Sequence, residues 1–144
     1  MKKLGIVEGF YGRSLSFDDR HSIVQSLSKN NLNYYLYAPK EDPFLRNHID
    51  LEPTPEWQNL FKDFVNLSTK HNVTIGVGLA PIDNKHTSEL ANKIKLFVDL
   101  GISNFSLLFD DIDQEFSLVE QLDIFHETKN NFNVIDMALR PSGS

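Results

Sequence analysis

Short apolar runs, each followed by a segment with apolar residues at helical spacing, constrain this chain more than any other feature. Leu4 to Phe10, Tyr34 to Tyr37, Val73 to Leu79 and Asn104 to Phe109 read as strands, and Phe132 to Leu139 is a candidate fifth. These runs do not alternate apolar with polar residues, as expected of strands covered on both faces. The helices between them announce themselves locally. Ser16, with Asp19 three residues on, starts the first ahead of Ile23, Val24 and Leu27. Thr54 and Pro55 start the second, with Trp57, Leu60, Phe61, Phe64 and Leu67 at helical spacing as its core face. Thr87 or Ser88 caps a third, carrying Leu90, Ile94, Phe97 and Val98 up to a stop at Gly101, and Ser117 with Glu120 forms a capping box for a fourth with Leu118, Leu122 and Phe125. Strand and helix in alternation predict an α/β fold, a parallel sheet of right-handed crossover units. Four to five units fit an open doubly wound sheet or part of an eight-unit barrel, which takes about 250 residues, and periodicity does not choose between them. No linker, low-complexity tract or charge block divides residues 1–144, so a single domain is expected.

In either architecture chemistry is handled at the carboxyl ends of the strands. Those ends read Glu8-Gly9-Phe10-Tyr11-Gly12-Arg13, Ala38-Pro39-Lys40-Glu41-Asp42, Ala80-Pro81-Ile82-Asp83 and Asp110-Asp111-Ile112-Asp113. The last is the sharpest, because Leu107, Leu108 and Phe109 run straight into adjacent carboxylates. Like charges in apolar surroundings do not ionise independently; one pKa rises, and that group becomes a candidate acid. Neighbouring strand positions face opposite ways, so Asp110 and Asp111 are expected to take different roles. The plainer reading is that Asp111 or Asp113 caps the next helix; a doublet after a buried strand favours function. A Mg²⁺ site on these carboxylates competes, whereas an EF-hand fails: counted from Asp111, the sixth position is Phe116 and the twelfth Leu122. Gly9 and Gly12 lack the spacing of a phosphate loop, and Gly9 either admits a ligand to the backbone or serves a turn. Lys40 binds a ligand hydroxyl or neutralises Glu41 and Asp42, and the residues alone favour the second. The histidines (His21, His48, His71, His86, His126) show no paired ligand spacing and read as solvated surface.

Composition removes several classes of function. The chain has 144 residues, no cysteine and a formal charge of −6. Disulfide frameworks, thiolate zinc sites and cysteine nucleophiles are therefore excluded. The acidic balance argues against nucleic acid or an anionic membrane as partner, since neutralising phosphate dominates such binding. No apolar run approaches the roughly 20 residues of a membrane span, and the first strand begins too early for a signal peptide, so a cytoplasmic location is expected.

Taken in order, "GIVEGFYGR", "NYYLYAPKED" and "FSLLFDDID" resemble the opening half of the catalytic domain of glycoside hydrolase family 84, the group of protein O-GlcNAcases and bacterial β-N-acetylglucosaminidases. The resemblance covers about residues 4 to 113. It implies a partial (β/α)₈ TIM-type barrel and retaining hydrolysis of terminal β-linked N-acetylglucosamine. In that reaction the substrate's own acetamido oxygen replaces an enzyme nucleophile, an exception to the usual two-carboxylate scheme. By position it implies that Asp110 orients the acetamido group and stabilises the oxazoline. Asp111 is then the general acid and base, Gly9 brings its backbone to the sugar, and Lys40 binds a ring hydroxyl. The implied partner is a glycan or glycoconjugate containing N-acetylglucosamine, and no cofactor is expected. Gly12-Arg13-Ser14-Leu15, Lys40-Glu41-Asp42 and Ala80-Pro81-Ile82 depart from the family's Gly-Arg-Pro-Trp, Lys-Asp-Asp and Ser-Pro-Gly, and the downstream residues that wall the acetamido pocket have no counterpart. The chain alone is therefore expected to be weak or inactive, with a non-catalytic remnant or a glycan-binding module as the alternative and a Mg²⁺-dependent enzyme on an open sheet as a third. Open sheet edges are expected to invite self-association or a complementing half barrel.

Overall fold

In the computed structural model a helical crossover joins each strand to the one that comes after it in the chain. The structure describes residues 2–9, 15–39, 42–45, 49, 51–80, 87–109, 118–131 and 136–140. The order is β1 (Gly5–Glu8), α1 (Phe17–Lys29), β2 (Tyr34–Tyr37), a 3₁₀ turn (Pro43–Leu45), α2 (Pro55–Lys70), β3 (Thr74–Leu79), α3 (Thr87–Asp99), β4 (Asn104–Leu108), α4 (Leu118–Asn131) and β5 (Asp136–Arg140). Helix α3 begins at Thr87 itself, so Thr87 and Ser88 lie within the helix rather than before it. Ser117 lies outside the described residues.

Local chemistry starts and stops these helices. Ser16 Oγ accepts the Asp19 N–H at 3.1 Å while the Asp19 carboxylate accepts the Ser16 N–H at 3.2 Å, the reciprocal pairing expected. Thr54 Oγ1 accepts the Trp57 N–H at 3.2 Å, and Pro55 sits in the first turn, where a missing N–H costs nothing. The exits of α1, α2 and α3 share one device. Asn31 (φ 58°), Asn72 (φ 59°) and Gly101 (φ 102°) turn left-handed. The following N–H groups of Leu32, Val73 and Ile102 then return to the carbonyls of Leu27, Ser68 and Phe97, each at 2.9 Å. Each turn delivers the chain towards the next strand.

Among the described residues the five strands are all parallel, in the unbroken order β1-β2-β3-β4-β5. A doubly wound sheet reverses its strand order; this one does not. Alternate residues of one face, among them Tyr35, Tyr37, Val77, Leu79, Phe105, Leu107 and Met137, share a single core with Val24 of α1, Phe61 and Phe64 of α2, Ile94 and Phe97 of α3 and Ile124 of α4. All four helices therefore cover the same face. Phe61 stacks on Trp57 at 4.9 Å and meets Tyr37 and Phe97 edge-on, each at 5.3 Å, tying α2 to the sheet and to α3. Leu60, assigned to this core by spacing, is instead 50% exposed; the buried stripe runs through Phe61, Phe64, Val65 and Ser68, which leaves Leu60 on its margin.

The opposite face is concave, and on β3 it carries glycines that large neighbours crowd. A Cβ on Gly76 would lie 2.0 Å from the Tyr34 hydroxyl, and one on Gly78 would lie 2.7 Å from Ala38 Cβ and 2.8 Å from Leu108 Cδ1. Lys3 Nζ, beside the Tyr34 ring, reaches Asp136 Oδ2 at 2.7 Å, although β1 and β5 are the two edges of the sheet. In a flat sheet four strand spacings would separate them by roughly 19 Å, so the sheet is strongly curved. The edges also meet out of step. From Asp136 the pairing passes through Asn104, Gly76 and Leu36 to Val7, whereas the ion pair meets Lys3, four residues earlier. An offset along the strands between the two edges is what the tilted strands of a barrel produce. The fold is thus a partial TIM-type barrel, and the alternative of an open doubly wound sheet falls.

Burial separates two neighbours on α2. Phe61→Ala should lower stability by about 3–5 kcal/mol, and Leu60→Ala should change it by no more than about 0.5 kcal/mol, both read from urea denaturation midpoints. Equal losses would contradict the helix orientation.

Candidate active site

Parallel pairing brings the strand ends to one rim: Glu8 is in register with Tyr37, and Leu79 with Leu107. The segments that leave this rim carry the sequence-predicted site. Hydrogen bonds stitch it together, from the Ala38 N–H to the Glu8 carbonyl at 3.0 Å and from the Ala80 N–H to the Leu45 carbonyl at 3.0 Å.

Just beneath the rim, on the helix side, lies a buried charge. Glu8 is 1% exposed and Arg20, from α1, 3%. Their contact is bidentate, Nε to Oε1 at 2.9 Å and a terminal nitrogen to Oε2 at 3.0 Å, and the Tyr35 hydroxyl donates to Oε1 as well. Such a pair survives burial only because its polar atoms find partners. Burial alone would lower the Arg20 pKa, but the hydrogen bond and charge of Glu8, with Tyr37 and Tyr35, hold it above its ordinary value. Tyr35 is pushed up by burial first and then by Glu8, and stays a donor.

The guanidinium of Arg20 lies 4.8 Å from the Phe17 ring and 5.0 Å from the Tyr37 ring. Tyr37 in turn donates its hydroxyl to Asp42 Oδ2 at 2.6 Å, and Asp42 Oδ1 accepts the Phe44 N–H at 2.9 Å. Burial raises the Asp42 pKa above the usual 3.8, outweighing those hydrogen bonds and the charges of Arg20 and Lys93, all of which lower it. Burial raises Tyr37 well above 10, reinforced by the charge of Asp42.

Gly9 follows the last residue of β1 at the rim, half-buried. Among the described residues, a Cβ there would meet Val7 Cγ1 at 3.2 Å and the Ala38 carbonyl oxygen at 3.8 Å, and Val7 is 58% exposed and free to yield. Unlike Gly76 and Gly78, Gly9 is not demanded by packing against the described residues. Lys40, Asp110 and Asp111 lie outside the described residues, as do Glu41 and the carboxylates considered for Mg²⁺; Phe109, which precedes the Asp pair, is fully buried. Among the described residues no group of three His, Asp or Glu is arranged to hold a metal, and no helix is long and apolar enough to cross a membrane. His21 departs from the expectation of a solvated surface: it stacks on Phe64 at 5.9 Å, and its Nε2 is buried without a hydrogen bond among the described residues.

The Glu8, Arg20 and Tyr35 cluster and the Tyr37–Asp42 bond were not anticipated from the sequence. A signal existed: an acidic residue closing an apolar strand needs a buried cation, and Arg20 stands early in α1, where a helix otherwise favours acidic residues such as Asp18 and Asp19.

The family model for beta-N-acetylglucosaminidase matches residues 4–137. This chain belongs to that family. Among its relatives, the protein O-GlcNAcases of Rattus norvegicus and Mus musculus are each 33% identical over 115 residues, covering 76% of this chain and 13% of theirs. A mutant of the Thermobaculum terrenum O-GlcNAc hydrolase superposes with a TM-score of 0.90 at 21% identity, over 98% of this chain and 35% of the other. The structure of CpGH84B gives a TM-score of 0.88 at 25% identity, over 96% of this chain and 27% of the other. The β-N-acetylglucosaminidase-family chain thus spans about an eighth of the curated relatives and about a third of the hydrolase structure, whose fold it shares.

Two measurements follow from the buried charges. Arg20→Met should cost about 3–5 kcal/mol in denaturant unfolding, because it strands Glu8 without its partner. Between the ordinary pKa of 3.8 and the raised folded value of Asp42, the native chain holds a proton that the unfolded chain releases. This group therefore makes the fold less stable as pH rises through that window, and Asp42→Asn should remove that part of the pH dependence of Tm.

Proposed function

We propose that this chain carries the first half of a retaining β-N-acetylglucosaminidase site, with Asp110 and Asp111 as its chemical pair and Gly9 and Lys40 as sugar contacts. The observation that supports this most is the convergence of the motif-bearing strand ends, Glu8-Gly9, Tyr37-Ala38 and Leu108-Phe109, on one rim of a family-matched half barrel. Among the described residues, the exposed Val7 side chain and the Ala38 carbonyl are what a Cβ at Gly9 would meet, which supports a backbone open to a ligand there.

In the proposed reaction the acetamido carbonyl oxygen of the substrate attacks its own anomeric carbon as the bond to the leaving oxygen breaks. Asp111 delivers its proton to that oxygen, and Asp110 accepts the acetamido N–H, holding the group in line and stabilising the positive charge of the oxazoline. Asp111, now a carboxylate, takes a proton from water, whose oxygen attacks the anomeric carbon and reopens the ring. Two inversions give net retention. Lys40 donates to a ring hydroxyl.

The acetamido pocket draws on further residues in the family, and positioning of this kind reaches about 7–11 kcal/mol in well-oriented intramolecular reactions. The chain alone is accordingly weak in turnover while retaining sugar affinity at the rim. On a chromogenic β-N-acetylglucosaminide, purified chain should turn over slowly with retention, and Asp111→Ala should abolish the residual rate; a rate indifferent to Asp111→Ala would overturn the assignment. Gly9→Ala tests the sugar contact separately. It should leave Tm unchanged or raise stability by about 0.4–1 kcal/mol through the unfolded state, yet abolish the shifts seen on NMR titration with N-acetylglucosamine.

A further inference from the structure

Two of the proposed sugar contacts lie on different strand ends, and the structure connects those ends through a continuous buried path. It starts one residue before Gly9. Glu8 holds Arg20 in a bidentate contact, at 2.9 and 3.0 Å. Arg20 lies 5.0 Å from the Tyr37 ring, and Tyr37 donates to Asp42 at 2.6 Å. Asp42, two residues after Lys40, fixes the start of the 3₁₀ turn by accepting the Phe44 N–H at 2.9 Å. The turn is pinned to the third strand end by Leu45, whose carbonyl accepts the Ala80 N–H at 3.0 Å. Every side chain on this path is buried or half-buried, and Glu8, Arg20 and Tyr37 are at most 3% exposed.

We infer that Glu8, Arg20, Tyr37 and Asp42 form one buried brace that sets the Gly9 backbone against the segment carrying Lys40, making these four residues positioning groups for sugar binding. The positioning role rests on the proposed sugar site; the brace itself does not. A core of the same size built from apolar side chains would hold the strands together without specifying the angle at which two loops leave them. The fork of Arg20 against Glu8, the single hydroxyl of Tyr37 and the two carboxylate oxygens of Asp42 are directional, and each is directed to one partner. The ring of Tyr37 is the joint, touched by the guanidinium of Arg20 and carrying the hydroxyl bound to Asp42.

Tyr37→Phe removes that hydroxyl and keeps the ring packed on Phe61. Hydrogen exchange of the Arg20 Nε proton, which is bound to Glu8, should quicken by about tenfold in Tyr37→Phe and in Asp42→Asn, although neither substitution touches it. Reciprocally, Glu8→Gln should quicken exchange of the Phe44 amide. Ile94→Val, a core change in α3 away from this path, supplies a loss of stability with neither effect. An Arg20 Nε proton as protected in Tyr37→Phe as in the wild type would overturn the brace. Titration with N-acetylglucosamine then addresses positioning: affinity should fall about tenfold in Tyr37→Phe and stay at the wild-type value in Ile94→Val. Equal affinity in wild type and Tyr37→Phe would overturn the positioning role, with Lys40→Ala confirming that the sugar site is real. Absence of binding by the wild type would overturn the sugar site and with it the positioning role, while the exchange measurements still decide the brace.

Discussion

A parallel strand reaches its neighbour only through a crossover long enough to run back along the sheet, and every such crossover here is a helix laid on the same face. That constraint organises the rest of the molecule. Helices on one face leave the other concave, and the concave face admits only side chains that fit a closing curve, which is why glycines at 76 and 78 face Tyr34, Ala38 and Leu108. The repeated helix exit, with Asn31, Asn72 and Gly101 in the same left-handed conformation, lets each unit re-enter the sheet in step with the one before.

The same constraint concentrates chemistry at one rim. Parallel strands point the same way, so their carboxyl ends meet, and residues far apart in sequence become neighbours without any long-range recognition. Burying Glu8 and Arg20 directly under that rim is costly in desolvation and contributes little net stability compared with an apolar pair. Its physical effect is directional: bidentate geometry and the hydroxyls of Tyr35 and Tyr37 leave one arrangement favoured over its neighbours. At the opposite end of the half barrel, Lys3 and Asp136 form an exposed pair, 43% and 63% accessible, that marks the curvature without holding it together. Asp136 is lowered from 3.8 chiefly by its hydrogen bond to Lys3.

Much of this fold was legible in the chain because its signals are local. Capping residues at Ser16, Asp19 and Thr54, the stop at Gly101 and the uninterrupted apolar strands each act within a few residues, and the structure places the elements where those signals fall. The misreading of Leu60 has a physical reason. Helical spacing defines a stripe but not its edges, and which marginal residue is covered depends on the angle at which α2 meets α1, β2 and α3. The rim sequences were legible as candidates for the same reason as the strands, and the family resemblance gave them roles, of which only the position of Gly9 falls within the described residues.

By itself the sequence determined the alternation of strand and helix, the ends of the first helices, the exclusion of thiol chemistry and the kinship to β-N-acetylglucosaminidases, all of which are written in residue types and short spacings. Tertiary structure alone decided between barrel and open sheet, because curvature is a property of register summed over five strands, seen in the meeting of Lys3 with Asp136. It alone joined Glu8 to Arg20 and Tyr37 to Asp42. Partners for a buried charge are chosen by the crossing of elements in space, and no spacing along the chain encodes where a helix will set its side chains against a strand.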